Sequence, residues 1–321
     1  MKSRPESGFM QSWAWAGFKA AQGQRVLRLG VFDGGRLAGG AMVYAADSAL
    51  SPLLLPHGPV LPWGEPAKAE AMLGLLRDRL AAEAGPDGAP LARLEPLLEA
   101  PPPFVAALPR SPLDLVPTPT LLVPCAGPDE ELLGAMRQKG RYNVRLALRK
   151  GVEAFQVPAA EGLGEFYGLF ELTCARHGFD GEPPAFFEGL FSALGASGPA
   201  RLYLARLQGM TLAAAVAVFY GGRATYLYGA SAPFARSAMA PYALHWRIMR
   251  DARAAGCSVY DLYGIAPEGR PDHAYARFTP FKLNFGGRRS ETCGGRDLYF
   301  YPRLARLLAG ALAKGKGACN V

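Results

Sequence analysis

The sequence predicts an α/β (α+β) protein with two domains. Its 321 residues are about twice the usual length of a domain, so the chain can bury two cores. Hairpin patterns and helical patterns also alternate along the chain. Residues 33–44 and 208–219 each pass from a turn through Leu-Ala and small residues into an apolar strand. This echo indicates either an internal duplication or the common pattern of buried hairpins.

The first half of the chain predicts a hairpin, a helix and a proline-rich region. Residues 25–33 and 36–46 form the hairpin around a Gly-Gly turn. Residues 66–83 form the helix, with Ala71, Leu75, Leu76 and Leu80 on one face. Twelve of the 28 prolines then lie between residues 85 and 128, which excludes a long helix there and leaves a short strand at 118–123.

The second half predicts longer helices between strands. Helices are expected at residues 129–150, 162–177, 184–194 and 241–255. Strands are expected at residues 152–157, 201–207, 211–220, 223–230 and 258–264. Residues 302–314 have the pattern of a basic amphipathic helix.

Charge and cysteine content limit the partners and the cellular compartment that we expect for the protein. The net charge of +8 favours RNA, a phosphorylated substrate or an anionic membrane face as partner, or simply reflects an arginine-rich proteome. Residues 1–8 are followed by no apolar segment, so no signal peptide is expected. The five scattered cysteines include no CxxC pair, which argues against disulfides and zinc. We therefore expect a cytoplasmic protein without a metal.

A stripe of basic residues is the first candidate functional feature. No acidic residue interrupts residues 133–151, and arginine recurs there at every fourth position. The basic residues are Arg137, Lys139, Arg141, Arg145, Arg149 and Lys150. Like charges four residues apart destabilise a helix by about 0.2–0.5 kcal/mol per pair. The stripe therefore indicates either a solvated face or a contact with phosphates of RNA.

Two further candidates are single charged residues in apolar surroundings. Asp261 lies in the strand pattern of residues 259–265, where it either faces a cleft at a sheet edge or caps the next segment. Lys282 lies between Phe281 and Phe285, where it either extends from a core edge to solvent or is held in a cleft for an anion.

The sequence shows no pattern typical of nucleophilic catalysis. None of the four histidines has a partner at catalytic spacing, and GxSxG, P-loop and dinucleotide-binding patterns are absent from the sequence. The residues by themselves thus lead to a basic two-domain α/β protein that binds a phosphorylated partner.

Seven segments in order resemble the Fem family of peptidoglycan interpeptide-bridge transferases. They are residues 9–19, 57–60, 139–152, 175–178, 240–243, 260–265 and 281–282. The resemblance covers almost the whole chain and implies two acetyltransferase-like (GNAT-like) domains with mixed sheets flanked by helices. The chain has no room for the coiled-coil insertion of larger members, so it is similar to the compact ones.

The resemblance also implies a reaction. An amino acid passes from aminoacyl-tRNA, a co-substrate rather than a bound cofactor, to the side-chain amine of the third stem-peptide residue. The acceptor is a peptidoglycan precursor, either UDP-MurNAc-pentapeptide or lipid II. The first domain, residues 1–124 plus 295–321, is expected to bind the precursor. The second, residues 125–294, is expected to hold the catalytic residues and the tRNA end.

Site residues follow from the resemblance position by position. Lys19 matches a lysine that binds the precursor diphosphate, and Tyr242 lies in the segment that lines the peptide channel. Phe281 and Lys282 match the pair beside the reacting ester. We expect Lys282 to stabilise negative charge there, and Asp261 to orient the amine or take its proton.

One departure from the family concerns the acceptor. Glu182 stands about where compact members place an arginine that shares the diphosphate. Either Arg176 or another base replaces that arginine, or the acceptor differs. The departure favours a lipid-linked acceptor, with the basic helix at 302–314 near the inner face of the membrane.

Two other functions are compatible with the residues. One is an N-acyltransferase that uses acyl-CoA, although the sequence lacks the expected pyrophosphate loop after a strand. The other is a non-catalytic tRNA-binding protein, which would leave Phe281 and Lys282 without a role.

Overall fold

The structure is a computed structural model that describes residues 7–45, 51–85, 88–195 and 198–301. It divides into two compact units, which are Met1–Val116 with Thr292–Val321, and Pro117–Glu291. Each unit has one mixed sheet flanked by helices. This confirms the predicted α/β class. The predicted helix at 302–314 lies outside the described residues.

The first unit is built on a five-stranded sheet. Its strands are β1 (Val26–Asp33), β2 (Arg36–Ala45), β3 (Leu53–Pro56), β4 (Leu91–Glu95) and β12 (Arg296–Tyr299). Its helices are α1 (Trp13–Ala21), α2 (Pro66–Ala84) and α3 (Pro103–Ala106). The strand order is β1-β2-β3-β4-β12, with only β3 and β4 parallel among these pairs. The chain therefore returns after the second unit to add β12 beside β4.

The core of the first unit lies between this sheet and α2. The helix buries Met72, Leu73, Leu76 and Leu80, whereas Leu75 is 60% exposed. The predicted helix is confirmed, but the prediction that Ala71 and Leu75 lie on its buried face is wrong, since both are exposed. Leu76 and Leu80 are buried as predicted, and Met72 and Leu73 complete the apolar face in place of Ala71 and Leu75.

The second unit is built on a seven-stranded sheet. Its strands are β5 (Thr120–Pro124), β6 (Glu153–Val157), β7 (Ala200–Leu207), β8 (Met210–Tyr220), β9 (Arg223–Ser231), β10 (Val259–Gly264) and β11 (Arg288–Ser290). Its helices are α4 (Asp129–Ala135), α5 (Gln138–Arg149), α6 (Ala159–His177), α7 (Pro184–Leu194), α8 (Ala240–Ala254) and α9 (Thr279–Lys282). The strand order is β11-β5-β10-β9-β8-β7-β6, so β5 belongs to this unit.

The predicted helix over residues 129–150 is in fact two helices. Met136 and Arg137 have extended backbone between α4 and α5. There the N–H of Arg137 donates to the carbonyl of Asn284 at 3.1 Å. A contact with a residue far along the chain thus breaks a segment whose own pattern is helical throughout.

None of the helices within the described ranges is long and apolar enough to cross a membrane.

Candidate active site

Lys282 is held inside the second unit by a carbonyl and two aromatic rings. Lys282 is the last residue of α9 and is only 8% exposed. Its Nζ donates to the carbonyl of Gly264 at 2.7 Å. It also lies 5.7 Å from the ring centroid of Tyr226 and 5.9 Å from that of Tyr275. Of the two alternatives from the sequence, the structure shows a lysine held inside rather than one that extends to solvent.

The ammonium lies where two neighbouring strands separate. β9 and β10 pair in parallel only from Val259 to Asp261, opposite Arg223 to Thr225. A register shift then interrupts the pairing of β9 with β8 next to Tyr226. Gly264 ends β10 and Tyr226 follows the last residue of β9 that pairs with β10, so Lys282 contacts both strands just beyond their paired residues. A separation of this kind can admit a ligand close to backbone groups.

Asp261 is buried on β10, between β5 and β9 in the sheet. Its Oδ2 accepts a hydrogen bond from Arg223 at 3.2 Å. Its Oδ1 accepts one from the N–H of Tyr263 at 2.8 Å, a residue whose φ is +62°. The structure shows the capping contact, since the carboxylate accepts from a left-handed residue at the end of the strand.

Burial acts on both charges of this site in opposite senses. It raises the pKa of Asp261, and Arg223 partly offsets the shift. It lowers the pKa of Lys282 to about 8, and the Asp261 carboxylate opposes that shift. Near neutral pH, Lys282 is therefore mainly an ammonium, close to the pH at which it loses its proton.

The lowered pKa of Lys282 predicts a pH-dependent stability. The unfolded lysine keeps its proton up to a pKa of about 10.4, whereas the folded one loses it near 8. The folded state therefore becomes more stable relative to the unfolded state as pH rises from the folded pKa to the unfolded pKa. Below the folded pKa its stability changes little with pH. We expect the free energy of unfolding of the wild type, measured relative to Lys282→Met, to rise by about 2 kcal/mol between about pH 8 and pH 10. Urea unfolding of both proteins measures this; a constant difference would contradict the shift.

Phe281 and Tyr242 come together beside Lys282 in an aromatic cluster. Their ring centroids are 5.1 Å apart, and Tyr242 also stacks on Phe285. The Tyr242 hydroxyl accepts a hydrogen bond from Asn284 at 2.9 Å. The side chain of Tyr242, at the start of α8, is thereby fixed against the segment that carries Phe281.

A buried histidine completes this cluster. His245 is 1% exposed, and its Nδ1 lies 2.7 Å from the hydroxyl of Tyr260. Burial lowers the pKa of His245 to about 3, so the ring is neutral. Its centroid is 5.4 Å from that of Phe281. Sequence spacing could not find this residue, because its partner lies on a strand rather than in the same helix.

The segment that carries Phe281 and Lys282 is anchored on α5. A Cβ at Gly140 would lie 2.0 Å from the carbonyl oxygen of Asn284, so only glycine fits there. A Cβ at Gly286 would likewise lie 2.3 Å from the carbonyl oxygen of Ala135, and φ at Gly286 is +76°. The first turn of α5 and the segment 279–287 therefore form one packed body.

Most of the basic stripe is exposed on α5. Arg137, Lys139, Arg145 and Arg149 are exposed and form no ion pair with any residue that the structure describes. Arg141 differs, because its half-buried guanidinium donates to the carbonyls of Gly134 and Met136 and thus completes the end of α4. The stripe therefore combines one structural arginine with exposed cations that face solvent.

Arg176 lies at the end of α6 beside the end of β9. Its Nη1 donates to the carbonyl of Ser231 at 2.9 Å and its Nη2 to the hydroxyl of Ser231 at 3.2 Å. Burial, the Arg176 charge, Arg277 and Arg236 lower the pKa of His177. Three arginines therefore share one neighbourhood. The sequence could not identify Arg236 and Arg277 as members of it, because both belong to later segments of the chain, far from Arg176.

Lys19 belongs to the first unit, in the last turn of α1. It is half-buried, and its Nζ lies 5.9 Å from the ring centroid of Phe18. The ammonium thus lies over an aromatic ring of the same helix.

Known proteins resemble this chain in sequence and in fold. Residues 135–278 match the model of an acetyltransferase (GNAT) domain family. The crystal structure of FemX superimposes with a TM-score of 0.84, at 21% identity, over 95% of this chain and 96% of that one. The C-terminal domain of a putative lysylphosphatidylglycerol synthetase from Agrobacterium fabrum superimposes with a TM-score of 0.56, at 18% identity, over 93% and 90%.

Sequence relatives match over a shorter stretch. The lipid II:glycine glycyltransferase of Staphylococcus epidermidis is 34% identical over 92 residues, which are 29% of this chain and 22% of that protein. Its counterpart from Staphylococcus aureus is 35% identical over 91 residues, or 28% and 21% of the two chains. The matched segment thus spans about a fifth of the length of these relatives.

The second unit, which contains the matched residues 135–278, has the fold of a GNAT domain. Within that fold class, the resemblance to the Fem family predicted from the seven segments is confirmed.

Proposed function

We propose that this protein transfers an amino acid from aminoacyl-tRNA to the side-chain amine of the third stem-peptide residue of a peptidoglycan precursor. The observation that carries the proposal is the buried Lys282 ammonium, which contacts β9 and β10 just beyond their paired residues and lies beside Phe281 and Tyr242. The glycyltransferase relatives, whose name specifies lipid II, support a lipid-linked acceptor.

The chemistry needs an amine, an activated ester and a positive charge near the ester. The amine nitrogen forms a bond to the ester carbonyl carbon, and the bond from that carbon to the 3′ oxygen of the tRNA then breaks. The amine loses a proton and the 3′ oxygen gains one. Lys282 stabilises the negative charge that develops on oxygen, while bound substrates supply proximity. The ester is already activated, so this route requires no nucleophilic side chain.

Asp261 has a secondary role in this proposal. Its raised pKa suits a group that orients the attacking amine or takes its proton. Its hydrogen bonds to Arg223 and Tyr263 hold the carboxylate in one orientation.

Separate cationic groups would bind the two phosphorylated substrates. Lys19 is proposed to bind the precursor diphosphate. Arg176 is proposed to bind the precursor as well. Burial and the Arg236 charge lower the pKa of Arg176, so Arg236 adds a second guanidinium near it. Tyr242 would line the peptide channel. The exposed cations of the stripe, which would contact the tRNA backbone, are Arg137, Lys139, Arg145 and Arg149, and Arg141 would support them by completing the end of α4.

Removing two cations of the stripe should weaken tRNA binding. We expect Arg145→Gln with Arg149→Gln to lower affinity, and to reduce the slope of log K against log salt by about 1 for each phosphate that the variant no longer neutralises. Filter binding at several salt concentrations measures both. The control replaces Arg77 and Arg79 on α2 by glutamine, which removes the same charge from the first unit. Equal effects of the two double variants would contradict a specific interaction.

Mass spectrometry of the acceptor tests the whole proposal. Purified protein is incubated with lipid II or UDP-MurNAc-pentapeptide, a tRNA pool, synthetases and amino acids, with and without RNase. A gain of one amino-acid residue that RNase abolishes is the expected result, and it identifies the amino acid. No gain with either acceptor would overturn the proposal.

The match to the acetyltransferase family model favours one second candidate, an N-acyltransferase that uses acyl-CoA. Incubation of the protein and acceptor with acetyl-CoA, without tRNA, distinguishes the two. Only the N-acyltransferase would then increase the mass of the acceptor. Binding of uncharged and charged tRNA without any transfer would instead indicate the non-catalytic tRNA-binding protein.

The proposed acceptor also sets the proposed location, which is the cytoplasm and the inner face of the membrane. The basic segment 302–314, whose pattern suggests this membrane contact, lies outside the described residues.

A further inference from the structure

Large apolar side chains form an exposed strip on the first unit. Trp13 at the start of α1 is 69% exposed, and Phe32 and Leu37 at the end of the β1–β2 hairpin are 64% and 51% exposed. Exposed single apolar residues are common, but a contiguous patch of them indicates an interaction surface.

The contacts show that these residues are contiguous. The guanidinium carbon of Arg28 lies 4.7 Å from the ring centroid of Trp13. Arg28 and Gly30 are two positions apart on β1, so they share one face of the sheet. A Cβ at Gly30 would lie 3.0 Å from both Phe32 and Leu37, which therefore cover this glycine. Trp13, Arg28, Phe32 and Leu37 thus make up one surface, the hairpin strip.

The surroundings of the hairpin strip are positively charged. Asp33 is the single acid in residues 7–45, and Lys68 pairs with it at 2.8 Å. Arg25 pairs with Glu83 on α2. Arg28 and Arg36 form no ion pair with any residue in the described ranges, so their charges are unopposed. An apolar strip with aromatic rings and unopposed arginines matches a bilayer surface, where rings lie at the headgroups and cations face lipid phosphates.

We propose that the hairpin strip docks on the surface of an anionic phospholipid bilayer. Trp13, Phe32 and Leu37 enter the headgroup region, and Arg28 contacts lipid phosphates. This extends the proposed function and rests on it, since a lipid-linked acceptor would be met at such a surface. It uses residues distinct from the site that would perform the transfer.

Vesicle binding tests the proposal without tRNA or acceptor, so its failure is separate from a failure of the transfer reaction. The full chain is sedimented with phosphatidylcholine vesicles that contain either no phosphatidylglycerol or about 30% of it. The test variant is Phe32→Ser with Leu37→Ser. The control is Met210→Ser, which removes another apolar side chain, 53% exposed, from the second unit. Thermal melting checks that each variant folds.

The expected result is binding that needs phosphatidylglycerol and falls by about tenfold or more in the test variant, with the control within about twofold of wild type. Arg28→Gln should weaken binding to the anionic vesicles, whereas Arg77→Gln should not. The tryptophan emission, to which the exposed Trp13 contributes, should shift to shorter wavelength on binding.

Three results would overturn the proposal. They are absent binding, equal binding to neutral and anionic vesicles, and unchanged binding of the test variant. Light scattering in lipid-free buffer covers the alternative of a second copy of the chain. A wild type that is dimeric and a test variant that is monomeric would assign the strip to self-association instead.

Discussion

Replacing Lys282 by methionine should lower the rate of aminoacyl transfer about 10²–10³-fold, the effect of losing one group that stabilises a developing oxyanion. Methionine is unbranched and one atom shorter than lysine, and it removes the charge beside Gly264 and Tyr226. Initial rates with saturating tRNA, measured by mass spectrometry of the acceptor, check this. A rate within about threefold of wild type would show that Lys282 does not stabilise the transition state.

The control for Lys282 separates chemistry from folding. Lys68→Met removes an exposed ammonium from the first unit and should leave the rate unchanged. The melting temperature of Lys282→Met should equal or exceed that of wild type, because methionine fills most of the buried space without a charge to desolvate. Unfolding of the variant at the assay temperature would instead make its low rate a consequence of instability.

Replacing Asp261 by alanine should lower the free energy of unfolding by about 3 kcal/mol. The change leaves the Arg223 guanidinium and the N–H of Tyr263 without their acceptor, and removes the carboxylate that favours the Lys282 ammonium. Urea unfolding at pH 7 measures the loss of stability. Alanine at 261 with stability within about 1 kcal/mol of wild type would contradict a structural role for this carboxylate.

Asparagine at the same position is the matched control. It retains an oxygen that can accept from Tyr263, so the decrease in stability should be smaller, about 1 kcal/mol. Equal decreases for alanine and asparagine would show that the charge of Asp261, rather than its hydrogen bonds, stabilises the fold.

Local patterns in the sequence predicted most elements of the fold. The hairpins around residues 34–35 and 208–209 and the helices α6, α7 and α8 follow from periodicity and turn residues. The break between α4 and α5 does not, because the Asn284 carbonyl that bonds to Arg137 comes from a distant part of the chain. The buried face of α2 was predicted only in part, because Leu76 and Leu80 are buried whereas packing leaves Leu75 exposed.

The site was only partly predictable for the same reason. Lys282 was identified by its aromatic neighbours in the sequence, and Phe281 and Tyr242 through the family resemblance. The structure brings Phe281 and Tyr242 together beside Lys282. Arg223 and Tyr260 were not identified, because strand pairing and helix packing place them beside Asp261 and His245. One sequence contains no signal for such pairings.

The close packing at Gly140 gives α5 a second use as a rigid spacer. Its first turn is joined to the segment of Lys282, and its 12 residues carry Arg145 and Arg149 away from that joint. A helix of this length spans about 18 Å. In the proposed reaction, the protein would thus hold the tRNA backbone at a fixed distance from the reacting ester. The length of one helix would then determine where the acceptor end of the tRNA lies.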